Sequence, residues 1–314
     1  MNNSMNNELT FLETEKKWTG FGKDVSDTSS SGEVLEKAGL NWKIAQQDVF
    51  TMGPDGSMKL VPHMRCNVRV EDGKTLGIVG DRYRVCQNAD AFAFTDSLLG
   101  SGVRYDRAGS FYGGRRIWLS ATLPPENIMG DEVQPYLVFV NTHDGSGAVR
   151  VAITPHRIVC SNAINFALRT ANRFWSVIHT QDLALRMQEA QNVLDVNRHY
   201  LDELKDYGKA LADIPIDNAD LPALAEAVYP LPDKDVTPKV EANIALRREQ
   251  LLEVYRKKDD LQDMPKTAWR FVNAVSDYAT HSKPLNGSRR SAGRVLEQVV
   301  AGHPVIDRAV RLFT

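Results

Sequence analysis

The spacing of apolar residues divides the chain into a strand-rich first half and a helical last third. Between residues 42 and 70 short apolar runs alternate with polar positions and are cut by Gly53-Pro54-Asp55-Gly56, with Glu71-Asp72-Gly73 just beyond. This pattern predicts successive hairpin strands. Ahead of them, residues 31–38 read as a short helix stopped by Gly39. Asn88, with Asp90 behind it, is expected to cap a helix over residues 89–99. Residues 103–108, 115–123, 135–142 and 148–154 then read as four strands, the last two joined through His143-Asp144-Gly145-Ser146-Gly147. Pro155 is expected to end the fourth strand, and the apolar spacing over residues 158–171 predicts a helix after it.

From residue 182 to 211 the apolar positions Met187, Ala190, Leu194, Leu201, Leu204 and Leu211 keep a three-four spacing, with Asn197 and Gly208 in the same register. A long helix follows from that, with two readings of its seam. It packs within the chain as a hairpin against residues 240–255, or it forms a coiled coil between chains with Asn197 fixing the register. Residues 214–238, with five prolines, read as the connection to further helices near 267–280, 291–301 and 305–313. The basic loop Asn286-Gly-Ser-Arg-Arg290 separates the first two of these. The expected fold class is α+β: an antiparallel sheet core with flanking helices and a helical C-terminal region. The expected division is an N-terminal arm over residues 1–33, partly flexible, an α+β core over 34–180 that would bind nucleic acid, and a helical region over 181–314.

Composition narrows the class without naming an activity. With 314 residues, 42% hydrophobic and 25% charged, the chain suits a soluble globular protein able to bury a core without disulfides or metal. Its three cysteines, Cys66, Cys86 and Cys160, form no C-x-x-C pair, and no apolar run reaches the length of a membrane span. The opening residues lack the apolar stretch of a signal peptide. These features read as cytoplasmic, with no membrane partner. Gly20-Phe-Gly22-Lys23-Asp24 lacks the spacing and hydroxyl of a phosphate loop, and no metal-ligand spacing occurs, so no cofactor is expected.

Two candidate chemistries remain. His143, Asp144, His156 and Cys160 contain the residue types of a thiolate nucleophile with its base, while the same Cys160 also fits a small core residue on an apolar helix face. Charge placement points elsewhere. The net charge is −2, yet residues 150–186 carry a net +4 and residues 202–263 a net −6. Arg115 and Arg116 stand beside Phe111 and Tyr112 at a hairpin tip, and Arg169 and Arg173 flank Phe174 and Trp175. Arginine beside an exposed ring is what single-stranded nucleic acid requires, because guanidinium holds phosphate and the ring stacks an unpaired base. The same residues also fit a solvated arginine face over core aromatics. On the nucleic-acid reading the contacts are Tyr112, Arg115, Arg116, Arg150, Arg157, Arg169, Arg173 and Trp175, with no catalytic residue.

The segments Trp18-Thr-Gly-Phe-Gly22, Ala38-Gly-Leu-Asn-Trp42, Gly77-Ile-Val-Gly-Asp-Arg-Tyr-Arg84 with Gln87-Asn88, Gly113-Gly-Arg-Arg116, Asn141-Thr-His-Asp-Gly145, Val149-Arg-Val-Ala-Ile-Thr-Pro155 and Arg157-Ile-Val-Cys-Ser-Asn162 resemble a family labelled "phage/plasmid-like protein", a domain of unknown function. The resemblance implies a mobile genetic element in a bacterial host. More distantly, the expected helix, antiparallel sheet and second helix are similar to the core of single-strand annealing proteins, which hold one DNA strand in a basic groove of a ring or filament. That likeness implies a single-stranded DNA-binding, annealing protein that works in recombination as a homo-oligomer. Two other expectations stand beside it: a cysteine-dependent hydrolase or transferase using Cys160 and His143, and an interaction protein that meets a host defence factor through residues 202–263.

Overall fold

The computed structural model describes residues 22–96, 102–157, 174–179, 193–281 and 302–313. The expectations for residues 1–21, for the helices over 158–171 and 291–301, and for the loop at 286–290 lie outside these. The fold is α+β, with antiparallel sheets, flanking helices and a largely helical C-terminal region. The described residues fall into two compact units, one drawn from 22–124, 136–153 and 174–197, the other from 125–135, 154–157 and 198–313.

The first unit opens with β1 (Lys23–Asp24) and α1 (Ser31–Ala38). The Ser30 side chain accepts from the Glu33 amide at the start of α1, and Gly39, at φ 68°, closes it in the left-handed conformation. A serine cap of this kind is worth about 1 kcal/mol. Next come β2 (Ile44–Met52), β3 (Met58–Arg69) and β4 (Thr75–Gly80), an antiparallel three-stranded sheet in the order β2-β3-β4. The turns between them are the two glycine-bearing turns anticipated from the sequence. Helix α2 (Asn88–Asp96) leads to a second sheet made of β5 (Arg104–Phe111), β6 (Arg116–Thr122), β8 (Asp131–Thr142), β9 (Val149–Arg157) and β10 (Phe174–Val177). Its order is β1-β5-β6-β8-β9-β10, and each register-defined pair is antiparallel.

Period-two alternation decides which face of this sheet the helices cover. Ile117, Leu119 and Ala121 of β6, Leu137 and Phe139 of β8, and Val149 and Val151 of β9 share one buried cluster with Val34 and Leu35 of α1 and Ala91 and Phe92 of α2. Phe92 meets Phe139 edge-on at 5.4 Å. Trp42, Ile44 and Leu76 bring the smaller sheet into the same core. Strand β9 continues through Pro155 to Arg157, two residues beyond the expected stop.

In the second unit β7 (Glu126–Ile128) pairs with residues 131–133 at the start of β8. The turn between them places Met129 and Gly130 at φ 55° and 85°, the primed geometry that suits a two-residue hairpin, built here without the usual Asn-Gly signal. The helices are α3 (Val193–Ala212), α4 (Leu221–Val228), α5 (Pro238–Lys257), the single turn α6 (Asp259–Gln262), α7 (Ala268–His281) and α8 (Pro304–Arg311). Helix α4 lies inside the stretch read as a connection, and Pro222 is tolerated because it stands in the first turn, where no intrahelical donor is needed. Leu201, Leu204 and Leu211 of α3 are buried within the chain itself, so this part of the seam is not available to a second chain. A Cβ at Gly208 of α3 would touch the Trp269 ring of α7 at 3.5 Å. Helix α5 packs on α7 and α4; among the described residues it forms no hairpin with α3, and residues 182–192 of the expected seam lie outside them. The side chain of Asn197 lies outside the described residues. Among the described residues no helix is long and apolar enough to cross a membrane.

Candidate nucleic-acid interface

Strands β5 and β6 are joined by Tyr112-Gly113-Gly114-Arg115, closing on the pair Phe111↔Arg116. Three consecutive residues here have positive φ: 54° at Tyr112, 69° at Gly113 and 98° at Gly114. The backbone is what requires the glycines, while the neighbouring side chains come close to both. A Cβ at Gly113 would run into the Lys74 ammonium, and one at Gly114 would lie 3.3 Å from Arg69 Nη1 and 3.4 Å from the Trp42 ring. Tyr112 adopts the same region with a bulky side chain, at a cost of about 1–2 kcal/mol. Backbone strain of this kind is kept where the surroundings fix it, and it collects at functional sites.

The result is a presented ring. Tyr112 is 49% exposed, and the Arg116 guanidinium sits over it, 5.6 Å from the centroid. Arg115 is exposed beside it, and Lys74 reaches the turn at Gly113. Arg69 is held by Asp72 through Nε to Oδ1 at 2.8 Å, and that guanidinium pulls the Asp72 carboxyl down to about 2. The Asp72 carboxylate is therefore engaged by Arg69, and Arg115, Arg116 and Lys74 bring cationic groups to the 112–116 turn.

Behind the turn lies a buried polar hub centred on His143. Its backbone amide donates to the Arg115 carbonyl at 2.7 Å, and its carbonyl accepts from Asn67 Nδ2 at 2.7 Å. The Asn88 amide nitrogen donates to the Leu40 carbonyl at 2.8 Å, so Asn88 Oδ1 is the acceptor toward His143 Nε2 at 3.0 Å. That network puts the imidazole proton on Nε2. Asn141 donates to the Cys86 carbonyl at 3.2 Å, and Tyr83 Oη to the Thr142 carbonyl at 2.7 Å. His179 stacks on Tyr83 at 4.5 Å and donates from Nδ1 to the Arg84 carbonyl at 3.1 Å. Burial drives the His143 pKa down from 6.5 to about 3, with the nearby His179 acting in the same direction, and burial lowers His179 as well. Both rings are thus neutral supports. Burial also pushes the Cys86 thiol up to about 12, which makes it inert at neutral pH.

The hub explains why scattered motifs belong together. Asn88 does not cap α2 with its side chain as expected. It stands one residue inside the helix, whose first bond runs from the Ala91 amide to the Gln87 carbonyl, and its side chain bridges Leu40 and His143. Gly77 is needed because a Cβ there would run into the backbone of Asp144. The segments around Trp42, 77–88, 113–116 and 141–145 therefore meet at one place, beneath the Tyr112 turn.

Of the contacts anticipated from the sequence, Tyr112, Arg115 and Arg116 form this single surface. Arg150 is half-buried on β9 opposite Ser176, and Trp175 of β10 packs partly against the hydrophobic core. Arg157 ends β9 with its side chain outside the described residues, and Arg169, Arg173 and Cys160 also lie outside them. Lys74 was missed by the sequence reading, since nothing local to residues 112–116 signals a lysine 38 residues or more away. Enclosed and bonded to Asn88, His143 is placed to position the turn and poorly placed to serve a nucleophile. Among the described residues no group of three or more His, Cys, Asp and Glu side chains is arranged to hold a metal ion.

A neutral buried hub lies beneath a strained, basic, aromatic turn in an α+β protein. The chain belongs to the family described as Domain of unknown function (DUF932), whose model matches residues 75–301. Neither the curated proteins nor the solved structures contain a match to it.

Proposed function

We propose that this chain binds single-stranded DNA and anneals complementary strands in recombination, as a homo-oligomer encoded by a phage or plasmid and acting in the bacterial cytoplasm. The observation that carries this reading is the Tyr112 turn: a ring held half-exposed by a left-handed backbone, roofed by Arg116 and flanked by Arg115 and Lys74. A base stacks on the ring while the cations hold the flanking phosphates. The ring accepts every base equally, so sequence preference is weak. No bond is made or broken.

Fluorescence anisotropy of a labelled single-stranded oligonucleotide tests it. One base stacked on an aromatic ring contributes about 1–3 kcal/mol, so Tyr112→Ala lowers affinity by roughly 5- to 150-fold. Cys160→Ala leaves binding and annealing unchanged. Wild-type affinity in Tyr112→Ala removes the turn from the interface, and loss of activity in a folded Cys160→Ala protein favours the hydrolase or transferase instead.

A further inference from the structure

Beyond Met64 and Gly80, where β4 ends its pairing, the β2–β3 register shifts between Asp48 and Phe50 and the two strands then pair again as a two-stranded arm. Its cross-strand pairs are Phe50↔Leu60, Thr51↔Lys59 and Met52↔Met58. Direct partners share a face, and so do residues two apart, so Phe50, Met52, Met58 and Leu60 form one apolar face with Thr51 and Lys59 behind it. That alternation is the pattern of a strand pair with one buried side. Yet the four side chains are 53%, 77%, 72% and 55% exposed, and almost the whole arm is open on both faces. An isolated two-stranded hairpin is marginal in water.

We infer that this face is covered by the same face of a second copy of the chain, the two arms packing across a two-fold axis. A patch made only of Phe, Met and Leu carries no directional groups and is self-complementary under such an axis. The apolar area exposed is on the order of 500 Å², and two copies together bury about 1,000 Å², the lower bound for a specific interface. Charge argues against a phosphate-bearing partner, since the tip has only Lys59, on the opposite face, against Asp55 in the turn. The contact deepens the oligomeric part of the proposed function, and it stands apart from the Tyr112 turn.

Sedimentation velocity of the full chain at tens of micromolar, without nucleic acid, reads the contact directly. The wild type sediments as a dimer or a larger assembly of dimers. Met52→Lys with Met58→Lys, at the two most exposed positions, halves the mass of that unit while circular dichroism is unchanged. The outermost position of these side chains means that no core contact is lost. The single-site variant Leu60→Lys gives the same result should the double variant lose its spectrum. A wild type that is monomeric, or variants that keep the wild-type mass, overturn the inference. Anisotropy on the lysine variants separates the two proposals: the dimer can fail while Tyr112-dependent binding persists, and the reverse.

Discussion

Acid should destabilise the first unit before its carboxylates titrate, because unfolding lets His143 take up a proton that the folded state refuses. In the folded state its pKa is about 3, against 6.5 in the unfolded chain. A depressed histidine pKa means that the contribution is complete above pH 6.5 and is lost as pH falls below it. At pH 5 the loss is about 2 kcal/mol, and it approaches about 5 kcal/mol near pH 3. His179, lowered by burial, acts with the same sign. The lowered carboxylates Asp24, Asp27, Asp55, Asp72 and Asp81 start from 3.8, so their losses fall below the pH 7.5 to 5 window. Equilibrium urea unfolding at pH 7.5, 6.5, 5.5 and 5.0 measures this, with the unit containing Trp42 followed by fluorescence. His143→Gln should be less stable at pH 7.5 and show a flatter pH dependence. Equal stability at pH 7.5 and 5.0, or an undiminished slope in His143→Gln, would refute the argument that His143 is buried and neutral.

Two further substitutions probe the turn and its support. Tyr112→Gly and Tyr112→Ala both weaken oligonucleotide binding, but the glycine variant is the more stable of the two by about 1–2 kcal/mol in urea, because only alanine keeps the left-handed penalty. The opposite order contradicts the backbone assignment. Gly77→Ala costs about 1–3 kcal/mol, read as a lowered melting temperature, since the added methyl meets the Asp144 backbone; an unchanged melting temperature contradicts that close approach.

Local signals in the sequence were sufficient where one residue governs one turn. Ser30 and Gly39 fix α1 at both ends, and the glycine turns at 53–56 and 71–73 fix the three-stranded sheet. They failed where a side chain serves a distant partner. Asn88 has the chemistry of a cap, but its partners are 48 and 55 residues away. His143 looked like a turn residue or a base, and only the fold encloses it. Leu201, Leu204 and Leu211 carry the same spacing whether their partner is the same chain or another, so periodicity could not choose between the seam's two readings. Pro222 was read as a break because proline's missing donor carries no cost in the first turn of a helix, and Pro155 because strand pairing does not show in a local pattern. The basic turn was legible as composition, Tyr112 with Arg115 and Arg116, but the Lys74 contribution required the β3–β4 hairpin to be brought beside it.

Salt dependence tests the central claim most directly, since it counts phosphates at named cations. Each phosphate neutralised on a single strand adds about −0.7 to the slope of log affinity against log salt. Anisotropy titrations of wild type and of Arg115→Ala with Lys74→Ala, across a salt series from ~50 to ~200 mM, give the two slopes. The account predicts single-strand binding tighter than duplex binding, and a slope shallower by about 1.4 in the double variant. No binding at ~50 mM salt, tighter binding to duplex, or an identical slope in the double variant would contradict it.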